Sequence, residues 1–130
     1  MSKEISITIP IPPAFCDINR VSRNPRANAA HRKKARQEAR DAAYLAVGAL
    51  DDWRSYGFPW AEVELHVTWY HPTHMLKDRD NILTTLKASL DGLTEAGIWE
   101  DDKDVHLTDP VREVDRANPR VVLKVRKWDE

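Results

Sequence analysis

Two stretches of the chain alternate apolar and polar residues, which is the pattern of a β-strand with one buried face. The first is EISITIPIPP near the N-terminus, with isoleucines two apart, and its prolines end the strand or place it at a sheet edge. The second is AEVELHVTWY, whose alternating apolar residues are Val63, Leu65, Val67 and Trp69. Further strands are predicted near Val105–Val114 and at Arg120–Arg126.

Two stretches with a helical period lie between these strands. The first is predicted from about Ala29 to Leu50, after a loop that covers Ala14 to Asn28. It carries a stripe of small residues that permits close packing, namely Ala35, Ala39, Ala42 and Ala46. The second is predicted from Asn81 to about Ala96, with Gly97 at the left-handed position past its end. Its apolar face is Ile82, Leu83, Leu86, Leu90 and Leu93.

The resulting order β-α-β-α-β-β predicts an α+β (α/β mixed) fold, with one mixed sheet and two long helices. A chain of 130 residues is expected to form a single small domain over residues 1–130. Cys16 is the sole cysteine, so no internal disulfide is possible and a reducing compartment is expected. Since no stretch is long and apolar enough to span a bilayer, we expect a soluble, cytoplasmic protein with no membrane partner.

The net charge of −1 conceals separate blocks of opposite sign. Eight basic residues and one acid lie between Arg20 and Arg40, whereas eight acids and three bases lie between Asp78 and Asp104. Blocks of this kind suggest a surface for a polyanion beside a site for a cation. The alternative is that the blocks are solvated helix faces that happen to differ in sign.

Carboxylates cluster before and after the second predicted helix. Asp78 and Asp80 are two residues apart, so in an extended segment both side chains point the same way. Two carboxylates held close repel unless a proton or cation lies between them. A hard divalent cation suits such a pair, and Mg²⁺ commonly takes one or two carboxylates together with waters and a substrate phosphate. Lys87 shares the polar face of the helix with Asp80.

Each acid also has an ordinary structural explanation. Asp80 can be the N-cap of the helix, Asp78 a solvated loop residue, and the acids from Asp101 to Asp104 a turn before a strand. His71 and His74 are three apart and form at most a weak zinc motif, because the one cysteine is distant. These explanations account less well for acids at both ends of one helix beside basic blocks.

The segments DRDN and LKASLDGLTEAGIWEDDKDV together resemble the RusA family of Holliday junction resolvases, particularly its phage-type members. The resemblance implies a homodimeric endonuclease that depends on Mg²⁺, with Mn²⁺ as an alternative, and cuts branched DNA at four-way junctions. It implies metal binding and catalysis by Asp78, Asp80 and Asp102, with Asp101 beside the third acid. It also implies a catalytic role for Lys87, although in some members the lysine lies four residues after the second acid, where this chain has Thr84.

The helix from Asn81 to Ala96 would span about 24 Å, whereas the connection from Gly97 to Asp102 reaches at most about 17–20 Å. We therefore expect each metal site to be shared across an antiparallel dimer, with Asp78 and Asp80 of one subunit near the third acid of the other.

The basic block is expected to hold DNA arms through phosphate contacts. Its members are Arg20, Arg23, Arg26, Arg32, Lys33, Arg36 and Arg40. The alternative for Arg32, Arg36 and Arg40 is a solvated stripe with local pairing to Glu38 or Asp41. Two other functions remain open: a metal nuclease acting on other branched DNA, and a catalytically silent DNA-binding dimer with a structural ion.

Overall fold

The computed structural model describes residues 3–17, 19–20 and 24–128. Its strands are β1 (Glu4–Ile9), β2 (Val63–His71), β3 (Val105–Leu107), β4 (Val111–Val114) and β5 (Arg120–Lys127). Its helices are α1 (Pro25–Gly48), α2 (Arg79–Thr85) and α3 (Lys87–Ala96). The predicted α+β class with one mixed sheet is confirmed. Among the described helices, none has the length and apolar content needed to cross a membrane.

The sheet places β2 and β5 at its centre. β5 pairs antiparallel with both β1 and β2, while β3 and β4 follow one another along the other side of β2, both parallel to it. The parallel pairing of β2 with β3 requires a crossover, and α2 and α3 supply it. This crossover brings the acids that follow α3 back towards the edge of the sheet.

The helices cover one face of the sheet because one set of alternating residues in each long strand is apolar. In β2 the apolar residues Val63, Leu65, Val67 and Trp69 are buried, as is His71 at the end of the strand, while the intervening residues are half-buried. In the region of α2 and α3, Ile82, Leu86 and Leu93 are fully buried in the hydrophobic core between the helices and the sheet. The predicted apolar face is therefore confirmed for these three residues, whereas Leu83 and Leu90 are half-buried.

Three predicted element boundaries are wrong. α1 begins at Pro25 rather than near Ala29, because the Asn24 side chain accepts the Arg26 N–H at 3.0 Å and acts as N-cap. The second helix is divided at Leu86, where ψ of −5° tightens the turn. The third strand is divided into β3 and β4, because Pro110 has no N–H to give to the ladder.

The closest approach of two helices is between α1 and α3. Ala35, Ala39 and Ala43 of α1 are buried, and Gly92 of α3 lies directly against the Arg40 carbonyl. The buried stripe therefore continues through Ala43, whereas Ala42 and Ala46 of the predicted stripe are half-buried. This packing holds α1, with most of the basic residues, against the helix that begins at Lys87.

Candidate metal and nucleic-acid site

The segment that leads into α2 is fixed to the rest of the protein at alternate residues. The Lys77 N–H donates to His71 Nε2 at 3.0 Å, and the Lys77 ammonium donates to Asp17 Oδ2. Arg79 Nε donates to the carbonyl of Pro110 at 3.2 Å. Asn81 Nδ2 donates to the same Asp17 oxygen at 2.9 Å. The three anchored residues thus alternate along the chain with the two aspartates of the motif, Asp78 and Asp80.

Asp78 and Asp80, called here the acidic pair, are both exposed. Asp78 stands at the N-cap of α2 but its carboxylate accepts no helix N–H, and Asp80 lies in the first turn. The N-cap explanation for Asp80 is therefore wrong. No other described residue forms a hydrogen bond or ion pair with either carboxylate.

The acidic pair opens into a cleft of 530 Å³, called here the acidic cleft. Two guanidinium groups lie on its walls together with neutral polar side chains. Besides the acidic pair, its lining residues are Asn19, Arg79, Asn81, Thr84 and Arg112. The combination of carboxylates and guanidinium groups can hold a cation and a phosphate side by side.

Asp17 is the centre of the hydrogen bonds that anchor this segment. Its Oδ1 accepts the N–H of Asn19 at 2.8 Å, and its Oδ2 accepts from Lys77 and Asn81. Burial acts to raise the pKa of this carboxyl, but these three hydrogen bonds and the Lys77 charge outweigh burial. The pKa of Asp17 is therefore held below its ordinary value.

The Asp17 hydrogen bonds predict a pH-dependent contribution to stability. Because the pKa is lower in the folded protein, the contribution is present at neutral pH and is lost as pH falls from about 3.8 through the folded value. We expect Asp17→Asn to lower the free energy of unfolding by about 1–3 kcal/mol at pH 7 and by less at pH 3. Urea denaturation at the two pH values measures this difference, and a pH-independent loss would contradict it.

His71 supports the same segment from the sheet. The side chain is buried at the end of β2, its Nε2 accepts the Lys77 N–H, and its Nδ1 lies 3.2 Å from the carbonyl of Glu113. These bonds require a neutral ring with the proton on Nδ1. Both ring nitrogens are engaged and His74 is exposed, so the zinc motif suggested by their spacing is not formed.

Asp102 and Lys87 lie on a second concave surface, called here the lysine groove. This groove of 450 Å³ is largely apolar and shares Thr84 with the acidic cleft. Its lining residues are Leu83, Thr84, Lys87, Leu90, Asp91, Trp99, Asp102, Val105 and Leu107. The chain after Gly97 thus returns beside α3, but Asp102 and the acidic pair line different surfaces, so sharing of each metal site between subunits stays a prediction. Asp101 lies next to the groove, and its carboxylate accepts the Lys103 N–H at 3.0 Å.

The predicted metal ligands are therefore divided between two neighbouring surfaces. Within the described residues, no group of three or more histidine, cysteine, aspartate or glutamate side chains converges as a metal site. The acidic cleft nevertheless fits a hard cation. It offers two carboxylates without protein partners, and the buried Oδ1 of Asn81 has no hydrogen-bond donor among the described residues. Mg²⁺ with its remaining waters needs no more than two carboxylates from the protein.

The predicted DNA-binding residues occupy different environments. Arg20, Arg26, Lys33 and Arg36 are exposed. Arg32 is half-buried, with Nη2 donating to the carbonyl of Arg20 at 3.1 Å, and Arg40 is half-buried 3.6 Å from Glu95. Arg40 thus joins α1 to α3 by an ion pair to Glu95, not by the local pairing to Glu38 or Asp41 that the alternative for this stripe supposed. Arg23 lies outside the described residues.

Sequence reasoning missed several residues around the acidic cleft. Asp17, Asn19 and His71 are distant from the motif in sequence, and no pattern connects them to it. Arg79 and Asn81 lie inside the quoted motif, and their position beside the acidic pair was the signal that could have found them.

Comparison of the chain with protein-family models and with curated proteins gives no match. The resemblance to RusA-type resolvases therefore rests on the motif quoted above alone, and a function has to be argued from the geometry of the cleft.

Proposed function

We propose that this protein is a metal-dependent endonuclease that cuts branched DNA, with the four-way junction as its substrate. The observation that carries the proposal is the contrast within residues 77–81. Lys77, Arg79 and Asn81 are tied to distant parts of the fold, whereas Asp78 and Asp80 are left exposed without partners. Two exposed carboxylates that line one cleft suit a divalent cation, which needs one or two carboxylates from the protein.

The side chains of the acidic cleft can be assigned complementary roles. Asp78 and Asp80 would hold a divalent cation, with Asn81 Oδ1 as a further oxygen near them. When bound, the ion supplies an activated water and neutralises charge on the phosphate. Arg79 and Arg112 lie where they can bind phosphate oxygens on either side of the cut.

Lys87 and Asp102 contribute from the lysine groove. Lys87 is exposed and has no ion-pair partner among the described residues, so its ammonium is available to a phosphate. Asp102 is also exposed, and Thr84 lies on both surfaces between it and the acidic pair. The catalytic set would therefore extend from one surface to the other along the exposed side of α2.

A homodimer is part of the proposal. The lysine groove has apolar walls, and Leu107 on the edge strand β3 is 47% exposed. A second copy that covers this edge would bury apolar surface and bring a second acidic pair close to Asp102. Two sites related by a two-fold axis suit paired cuts in a junction whose arms have the same symmetry. The basic residues of α1 would hold the arms.

The deciding experiment is cleavage of a labelled four-way junction by the purified full-length chain, beside a linear duplex and a flap of matched sequence. We expect paired cuts in the junction with Mg²⁺ or Mn²⁺, none with EDTA, and at least tenfold less cutting of the duplex. Binding of the junction should weaken steeply with salt because phosphate contacts release counterions.

Each other result identifies a different function. Equal cutting of the flap would indicate a metal nuclease of broader substrate range. Junction binding without cutting under any metal would indicate the silent DNA-binding dimer. Absence of both binding and cutting would overturn the assignment to nucleic acid altogether.

A further inference from the structure

Asp17 is 60 residues from Lys77 in sequence, yet it contacts the residues on both sides of the acidic pair. Lys77 directly precedes Asp78, and Asn81 directly follows Asp80; both donate to the same Asp17 oxygen. We propose that Asp17 is a positioning residue that sets the spacing of the two carboxylates for a divalent cation. This inference rests on the proposed function.

The Asp17 carboxylate is itself held firmly. A short helical turn at Ala14–Cys16 precedes it, and the Asp17 N–H donates to the Ala14 carbonyl at 3.1 Å. The Asp17 carbonyl accepts the Arg20 N–H at 3.0 Å, and Oδ1 is occupied by the Asn19 N–H. The side chain is only 17% exposed. The backbone and Oδ1 of Asp17 are thus fixed within the N-terminal loop, and Oδ2 is left to accept from the acidic motif.

The acidic pair has no comparable support of its own. Asp78 has an extended backbone, Asp80 is already helical, and α2 is only seven residues long. The distance between the two carboxylates therefore depends on how the ends of the segment are held. If Lys77 and Asn81 were released, the two acids would no longer be held in one arrangement, and a cation would have to order them on binding. Loss of a residue that orients metal ligands commonly weakens metal binding 10- to 100-fold.

The Lys77 side chain makes this support specific to the charge of Asp17. Its ammonium lies between the Asp17 carboxylate and the ring of Trp69, 5.7 Å from the ring centroid. Trp69 is buried and offers the ammonium only the face of an aromatic ring, not a second carboxylate. An asparagine at position 17 keeps the shape and one acceptor oxygen but leaves this charge unpaired. Asp17→Asn is therefore a selective test of the charge.

The test compares Asp17→Asn with Asp115→Asn in the full-length chain. Asp115 is a matched control because it also combines an ion pair, to Arg120 at 2.8 Å, with hydrogen bonds to backbone N–H groups of a turn. Mn²⁺ affinity is measured by calorimetry without DNA, and amide hydrogen exchange is measured without metal. We expect Asp17→Asn to bind Mn²⁺ about 10- to 100-fold more weakly and to exchange faster over residues 77–82, while Asp115→Asn retains both wild-type values.

The outcomes separate this inference from the proposed function. A wild-type chain that binds no Mn²⁺ overturns both. Wild-type binding with unchanged affinity or unchanged exchange in Asp17→Asn overturns the positioning role alone, and so does an equal loss in Asp115→Asn. If Asp17→Asn does not fold, Lys77→Met removes the same ion pair from the other side, and the same measurements decide.

Discussion

Asp80→Asn is expected to abolish metal-dependent cleavage of a four-way junction while leaving junction binding intact. The substitution keeps the size of the side chain and removes the negative charge that attracts the cation. Asp80 is exposed in the first turn of α2 and does not cap the helix, so the fold does not depend on its charge. We expect the cleavage rate at saturating Mg²⁺ to fall at least about 100-fold.

Asp51→Asn is the charge-matched control. Asp51 is exposed, follows α1, and lines neither the acidic cleft nor the lysine groove. Its replacement should leave the rate within about twofold of wild type. Junction affinity, measured with Ca²⁺ to prevent cutting, should stay constant or tighten slightly in Asp80→Asn because a charge that repels phosphate is removed. Retained cleavage in Asp80→Asn would remove the acidic pair from the catalytic mechanism.

Local patterns predicted the elements of the fold because burial on one face leaves a periodic trace. The alternation in β2 and the 3.6-residue period around Leu86 each correspond to a buried face in the structure. The ends of the helices and strands were harder to predict from the sequence, since they depend on single hydrogen bonds. Asn24 fell inside the predicted loop from Ala14 to Asn28, and the break at Leu86 leaves the apolar period undisturbed.

Only part of the candidate site could be predicted from the sequence, for a related reason. Acids two residues apart are visible in the sequence, and so is their position before a helix. Their support is not, because Asp17 and His71 reach the segment through contacts between distant parts of the chain. The path of the chain after Gly97 was also not visible in the sequence, because it depends on how the strands of the sheet pair. The pairing of β3 with β2 brings that segment beside α3.

At Gly92 the packing of α1 on α3 leaves no room for a side chain. A Cβ atom at this position would lie 2.3 Å from the carbonyl oxygen of Arg40 and 3.0 Å from the Cβ of Ala43. The first of these neighbours is backbone in the middle of a long helix, so it cannot move aside as a flexible side chain can. Any larger residue at position 92 must therefore push the two helices apart.

Gly92→Ala is accordingly expected to destabilise the protein by about 2 kcal/mol or more. Overpacking of this kind costs about 3 kcal/mol, and the better helix propensity of alanine offsets about 1 kcal/mol of it. Gly48→Ala supplies the contrast: Gly48 ends α1 with no atom within 4 Å of the added Cβ, so the same substitution should be neutral or stabilising. Urea denaturation of both variants measures the difference. Equal stability of the two would mean that α1 and α3 do not meet as closely as described, and the basic residues of α1 would then no longer be fixed relative to Lys87.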